Sequence, residues 1–452
     1  MTNSEPPVKG SQIGRCESRM KIVERLASLM QHLQLEAACF ATQIPGDIAD
    51  LAAQFPERIT GLVLCVPTRL DTRPFAHVSP RLLMITGEAG LSAETSRRAL
   101  AQLPGAQEHI LPGYNAQGWS DVVADRRTEV VGAMIRFLRK SCSGPSIAGP
   151  QATSGTHSGL SYRVVGQGPP LVLLPFLLAP SQWEPALAEL GQHFAVIQVG
   201  GPHIGGVAVL EDRARAPTYR AMFRHLMDVM VPRADSRILD VGCGSGALDR
   251  LLAARLGSAA RIDAIDVNPL LLREAAELAR EFSDRIVFTL GSALDLPFPK
   301  ETFDCVFSVT VLEECDANRA IAEMIRVARP GARIGIVVRA VDLAQWWNLE
   351  LPAAINAIAS IPPHSVGPEG VADASLYARM SHAGLVDVCA FPTLITLDQP
   401  EGPIWRYRED DVLSRLSTED AITWSDAREK AARRGVLVQA HALHCAVGTK
   451  PI

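Results

Sequence analysis

From residue 237 to residue 340 the chain alternates short apolar runs with segments whose apolar positions recur at helical spacing. RILDVGC (237–243), RIDAIDV (261–267), RIVFTL (285–290), FDCVFSVTVL (303–312) and ARIGIVVRA (332–340) are β-branched, apolar runs. Such runs mark strands buried on both faces. Between them ALDRLLAARL (247–256), PLLLREAAELAREF (269–282) and ANRAIAEMIRVAR (317–329) place apolar residues three and four apart, which predicts helices. Strand and helix in alternation predict an α/β fold, an open parallel sheet of doubly wound type. Runs at 386–397 and 436–447 predict two further strands completing it at one edge.

Ahead of this region, strand and helix patterns at 20–140 and 159–201 are separated by SCSGPSIAGPQATSGTHS (141–158). That stretch is rich in Ser, Gly, Pro and Thr, and reads as a flexible linker. A weaker break, GGPHIGG, lies at 200–206. The expected organisation is 1–140, a linker at 141–158, a segment at 159–206 and a domain at 207–452. With 452 residues, two or three domains fit.

Composition narrows the function. The net charge is −5, and the 44 basic residues comprise 38 Arg and 6 Lys without any basic tract, so a nucleic-acid partner is not expected. The nine cysteines are scattered singly, without C-x-x-C or a Cys/His cluster, so neither a zinc site nor a disulfide framework is expected. Residues 1–18 are polar, which predicts no secretory signal. The most apolar stretch, 169–180, is too short and proline-rich to span a bilayer. A soluble, cytoplasmic protein without a membrane partner is expected; oligomeric state is not legible.

The most informative segment is Asp240-Val-Gly-Cys-Gly-Ser-Gly246. Gly242, Gly244 and Gly246 flank Cys243 and Ser245 where a buried strand turns into a helix, the place where a backbone passes close to a ligand. Twenty residues beyond Gly246, Asp266 ends the next strand and is placed to accept from a ribose diol. Together with GSALDLPFPKETFD (291–304) and RVARPGARI (326–334), this set resembles the class I S-adenosylmethionine-dependent methyltransferases of the small-molecule, quinone-biosynthesis-like branch, over about residues 211–452. The resemblance implies a Rossmann-like, seven-stranded domain with S-adenosylmethionine as cofactor. It places Gly242, Cys243, Gly244 and Gly246 under the methionine and ribose, Asp240 at the amino group, and Asp266 with Val267 at ribose and adenine. Ser292 and Ala293 stand where the family has Asp-Ala. Ser308 falls near the reactive end of the cofactor.

Methyl transfer from a sulfonium asks the protein mainly to position an acceptor and exclude water. Glu313 is the candidate acceptor-facing carboxylate, with a helix-capping role as the alternative. Trp346 and Trp347 follow the fifth strand, and either one lines an acceptor pocket or both pack a surface helix. Tyr219 lies before the first strand, closing over the cofactor or filling core. No residues carry metal-ligand spacing.

The front half is similar to an α/β-hydrolase. LASLMQHLQLEAACFATQIPGDIADLAAQFPERITGLVLCVP (26–67) resembles the centre of that family, RLLMITGEAG (81–90) and AQEHILPGYNAQGW (106–119) the strands carrying the acid and His. Phe40-Ala41-Thr42-Gln43-Ile44 stands where G-x-S-x-G belongs, Glu88 near the acid and Ala116 near the His, so the triad is missing. Residues 160–201 resemble the opening strands of the same family, which suggests a permuted domain completing one sheet; the rival is that they extend the C-terminal domain. The leading function is methyl transfer to a small molecule. A cofactor-binding regulatory protein and a hydrolase with an appended methyltransferase are the alternatives.

Overall fold

The structure, a computed structural model, describes residues 20–116, 121–141, 153–176, 180–363, 366–400 and 402–452. Most of the expected linker at 141–158 and the N-terminal 19 residues lie outside the described residues. The chain divides into two compact units, Met1–Ala208 and Val209–Ile452.

The first unit is built on eight strands: β1 (Ala38–Thr42), β2 (Ile59–Cys65), β3 (Leu82–Ala89), β4 (Gln107–Ala116), β5 (Ser154–His157), β6 (Leu160–Val165), β7 (Pro170–Leu173) and β8 (Ala195–Gly200). Their order in one sheet is β4-β3-β2-β1-β7-β8-β6-β5. Every neighbouring pair is parallel except those made by β6, which runs antiparallel to both β8 and β5. The two halves of the unit meet where Cys39, Phe40 and Ala41 pair with Leu171, Val172 and Leu173. Residues 154–200 therefore belong to the first unit's sheet and do not extend the second unit. Phe40 and Val172 face one core with Leu26 and Ile48, while Ala41 and Leu173 face another with Met134 and Trp183. Strands buried on both faces cannot alternate polar and apolar residues, which is why they read as continuous apolar runs.

Cys39 is disulfide-bonded, which corrects the expectation drawn from scattered cysteines. Pairing depends on which cysteines the fold brings within about 7 Å, and sequence spacing does not report that distance.

The second unit carries β9 (Arg237–Val241), β10 (Arg261–Asp266), β11 (Ile286–Leu290), β12 (Phe303–Val309), β13 (Ala328–Arg339), β14 (Trp346–Trp347), β15 (Val386–Ala390), β16 (Thr393–Leu397) and β17 (Gln439–Thr449). The main order is β11-β10-β9-β12-β13-β17-β14, with β15 and β16 also pairing with β17. β9 to β13 are parallel, and β17 is antiparallel to β13. The expected run at 386–397 splits into two strands, and the expected strand at 436–447 begins later. Trp346 and Trp347 pair as a short strand with Ala440 and Gln439 and do not lie on a helix. Strand order reverses between β9 and β12, so a crevice opens beyond their carboxyl ends, where ligands bind in open α/β sheets.

A protease site engineered between residues 142 and 152 tests the shared sheet of the first unit. After cleavage under reducing, native conditions the two fragments should co-elute in gel filtration and part only in denaturant. Fragments that part without denaturant would contradict the β1–β7 pairing.

Candidate functional site

β9 delivers the chain into the switch-point crevice, and the glycine turn follows at once. Gly242, Gly244 and Gly246 take φ of +84°, +55° and +68°, the left-handed region that side chains disfavour. Space adds a second constraint at two of them. A Cβ on Gly242 would collide with the Val311 side chain, and one on Gly246 would lie 2.8 Å from the Phe288 ring. The N–H groups of Gly242 and Cys243 both donate to the Ile265 carbonyl at 2.8 Å, tying the turn to β10.

Asp266 braces the same turn. Its Oδ2 accepts from Gly244 N at 2.9 Å and its Oδ1 from Asn268 N at 2.9 Å. Burial outweighs these donors and holds its pKa above the ordinary carboxylate value. Asn268 in turn caps the helix Pro269–Leu278, its Oδ1 accepting from Leu270 N and Leu271 N.

A buried ion pair clamps the turn from its other side. Ser245 Oγ donates to Glu211 Oε1 at 2.7 Å, and Arg250 grips both Glu211 oxygens at 2.6 and 2.7 Å. Arg250 also donates to the Ser245 carbonyl at 2.8 Å. Glu211 escaped the sequence reading because it lies 34 residues from Ser245, and its only signal is an acid on an otherwise apolar helix face.

Beneath the turn lie two buried acids. Asp240 is 2% exposed and Asp249 fully buried at 0%. Burial, with the neighbouring Asp249 and Asp266, pushes the Asp240 carboxyl well above its ordinary range, and burial pushes Asp249 up to about 7. Neither Asp249 oxygen meets a donor among the described residues. When both are ionised the pair is two acceptors side by side; one proton between them makes a hydrogen bond. Arg250 is the cation that acts on Asp249, and it is committed to Glu211. Cys243 sits among these acids, and burial with their charge keeps its thiol protonated.

The other expected residues divide. Val267, just beyond β10, is 65% exposed, and Leu290, which pairs with Asp266 at the end of β11, is exposed as well. Ser292 Oγ accepts from Leu294 N at 3.1 Å and shapes its own turn, and Ala293 is buried in the core. Ser308 is buried and donates to the Val241 carbonyl at 2.8 Å, tying β12 to β9 instead of presenting a free hydroxyl.

Tyr219 is buried with its hydroxyl unpartnered among the described residues. Burial raises its pKa, and Asp240 and Glu313 add to the rise, which places the ring near both acids. Glu313 is buried in the turn after β12. Its Oε1 accepts from Arg339 N at 2.7 Å, while its Oε2 is unpartnered among the described residues. Burial raises its pKa against the pull of Arg339. Trp347 packs edge-on against Trp405 and Trp424 at 5.2 and 5.1 Å, and Trp346 is 53% exposed. Among the described residues no group of three or more His, Cys, Asp and Glu could hold a metal, and no helix is long and apolar enough to cross a membrane.

The acid pair makes a pH prediction. A raised carboxyl pKa means that the folded chain keeps a proton which the unfolded chain releases, so stability falls as pH climbs from 3.8 toward about 7. Asp249→Asn removes that loss. In thermal melts without ligand the variant should be more stable than the parent at pH 8, by about 4 kcal/mol, with the gap closing toward pH 4. A gap that does not change with pH would contradict the shared proton.

Residues 238–331 match the family model described as a methyltransferase domain. The chain is 32% identical over 159 residues to nocamycin O-methyltransferase of Saccharothrix syringae, covering 34% of this chain and 57% of that protein. It is 33% identical over 131 residues to 2-phytyl-1,4-naphtoquinone methyltransferase of Synechococcus elongatus, covering 28% of this chain and 56% of that one. It thus spans little more than half the length of these relatives. Among solved structures it is similar to geranyl diphosphate C-methyltransferase from Streptomyces coelicolor A3(2), with a TM-score of 0.32, 20% identity, and coverage of 51% and 78% of the two chains. The glycine turn, Asp240, Asp249, Asp266 and the Pro330-Gly331 pair all fall within the matched span.

Proposed function

We propose that the second unit transfers a methyl group from S-adenosylmethionine to a small organic acceptor. The observation that carries this reading is the pair of buried acids, Asp240 and Asp249, lying beneath a three-glycine turn without a free cation of their own. A ligand with a protonated amine supplies that charge, and S-adenosylmethionine has one on its methionine end. When bound, the cofactor contributes the electrophilic methyl and its leaving group. The protein holds and orients. Gly242, Gly244 and Gly246 let the backbone approach, Asp240 meets the amine, Asp266 uses its remaining lone pairs on the ribose, and Val267 covers the adenine. Glu313, through its unpartnered Oε2, is the carboxylate facing the acceptor. The names of the relatives, an O-methyltransferase of nocamycin and a methyltransferase of a phytyl naphthoquinone, support an acceptor that is a small organic molecule.

The first unit fits a permuted α/β-hydrolase-like domain without hydrolytic chemistry. Counted from β5 as the first strand, its order reads 1-2-4-3-5-6-7-8, with only the second strand antiparallel to its neighbours. The strands that open such a domain thus follow, in sequence, those that resemble its centre. Thr42 is not among the residues with positive φ, so no strained elbow presents it. Its buried Oγ1 accepts from Ile44 N at 2.9 Å. Glu88 Oε2 is taken by Gly113 N at 2.6 Å, and the third position is Ala116, which has no base.

Calorimetry tests the cofactor reading. An ammonium brought against the acid pair favours its ionised form, so S-adenosylmethionine should bind near pH 6.5 with release of a proton, seen as a heat that varies with buffer ionisation enthalpy. Asp249→Asn should abolish the release, and Asp240→Asn should weaken binding by about tenfold or more, 1.4 kcal/mol. Absence of binding to the parent protein would overturn the proposal. With the cofactor bound, Glu313→Gln should lower the rate of S-adenosylhomocysteine formation about tenfold or more while leaving cofactor affinity within about twofold; an unchanged rate would remove Glu313 from the acceptor side.

A further inference from the structure

The second unit buries more positive charge than the cofactor site uses. Arg408, on the helix Pro403–Leu413, is 8% exposed, and its guanidinium makes no hydrogen bond and no ion pair among the described residues. Of the acids on its own helix, Asp411 lies close enough to act on it electrostatically, and two are tied to other side chains. Glu409 accepts from Trp405 Nε1 at 3.0 Å and Trp424 Nε1 at 2.8 Å and pairs with Arg428 at 2.9 Å. Asp411 holds Arg415 at 2.7 Å.

Arg213, from the helix Gly205–Arg215, converges on the same place. Its Nη1 donates to Thr310 Oγ1 at 3.1 Å and its guanidinium lies 5.1 Å from the Tyr219 ring centre. Its Nε is buried without a partner, and it forms no ion pair among the described residues. Both guanidiniums act on the buried His441 of β17, and Arg213 and Arg339 act on Arg408. Burial, aided by that like charge and opposed by Tyr407 and Asp411, pulls Arg408 down to about 10. His441 Nδ1 meets Gln439 Oε1 at 3.2 Å; burial together with Arg408 and Arg213 keeps the imidazole neutral, so it adds no charge.

The location is that of an acceptor site. Thr310 directly follows β12, Arg339 ends β13, and Tyr219, whose ring Arg213 covers, is electrostatically coupled to Asp240 below the glycine turn. The Tyr219 hydroxyl and Glu313 Oε2 are the other unpartnered polar atoms there. Arg339 is the only one of the three guanidiniums with carboxylate partners among the described residues, Glu313 at 3.5 Å and Glu314 at 3.0 Å. With Asp411 and its partner Arg415 included, four guanidiniums stand against three carboxylates, which leaves one positive charge. A buried charge without a counter-ion is costly, and a guanidinium fork matches the two oxygens of a carboxylate.

We propose that Arg408 and Arg213 form a recognition site for a carboxylate carried by the methyl acceptor, with the Tyr219 hydroxyl as a further donor. This rests on the methyltransferase reading of the same crevice. A monoanion balances the site, whereas a dianionic phosphate overshoots it.

The test uses the full chain loaded with S-adenosylhomocysteine and matched probes: 4-hydroxybenzoate against 4-hydroxybenzamide, decanoate against decanamide, and inorganic phosphate. Binding is read by calorimetry and thermal shift. At least one carboxylate should bind tenfold or more tighter than its amide. Arg408→Leu should erase that preference, leave S-adenosylhomocysteine affinity unchanged, and melt no lower than the parent, since it removes a charge without a counter-ion. Arg213→Gln should weaken the preference independently. Equal binding of acid and amide in both pairs, a preference that survives in Arg408→Leu and Arg213→Gln, or phosphate binding tighter than the carboxylates would overturn the proposal. Failure of the parent chain to take up S-adenosylhomocysteine would instead count against the methyltransferase reading.

Discussion

Gly242 and Cys243 share the carbonyl of Ile265, and Asp266 takes the N–H of Gly244; through these bonds the backbone at the head of β9 is fixed against β10. Everything else in the site is arranged around that turn. The positive φ values are tolerated because no side chain is present, and Val311 and Phe288 fill the room that a Cβ would need. The Glu211–Arg250 pair locks the outer side, and breaking such a pair on one side leaves a buried charge, at a cost of roughly 3–5 kcal/mol. A turn held this firmly can keep two acids, Asp240 and Asp249, buried beneath it in a form that favours a cationic ligand.

The parallel strands of the second unit were legible because both of their faces are buried, which leaves continuous apolar runs ending in turns. The glycine turn and Asp266 were legible because their spacing is local. What escaped is assembled from distant segments. Glu211 reaches Ser245 and Arg250 from an earlier helix. Arg213, Arg408 and His441 come from two helices and the last strand. Asp249 lies in the helix expected at 247–256, and only the packing shows that it is buried beside Asp240. Ser308 donates its hydroxyl to the Val241 carbonyl on the neighbouring strand, a bond that its place in the sequence does not report. Trp346 and Trp347 form a short strand because β17, about ninety residues later, pairs with them, which no local pattern reports.

The first unit shows the same balance. Local patterns suggested strands on both sides of residues 142–152, but which strands neighbour which is a long-range property, set by the pairing of β1 with β7. In the same unit backbone donors engage two polar side chains, Thr42 through Ile44 N and Glu88 through Gly113 N.

The most direct measurement is transfer of isotopically marked methyl from S-adenosylmethionine, with the intact chain, into a mixture of small organic acids and their neutral counterparts, followed by mass spectrometry of the products. The account predicts that the marked methyl appears in a small molecule bearing a carboxylate and that S-adenosylhomocysteine forms in equal amount. Cofactor that binds but is never consumed, or methyl that appears only in neutral compounds, would contradict it.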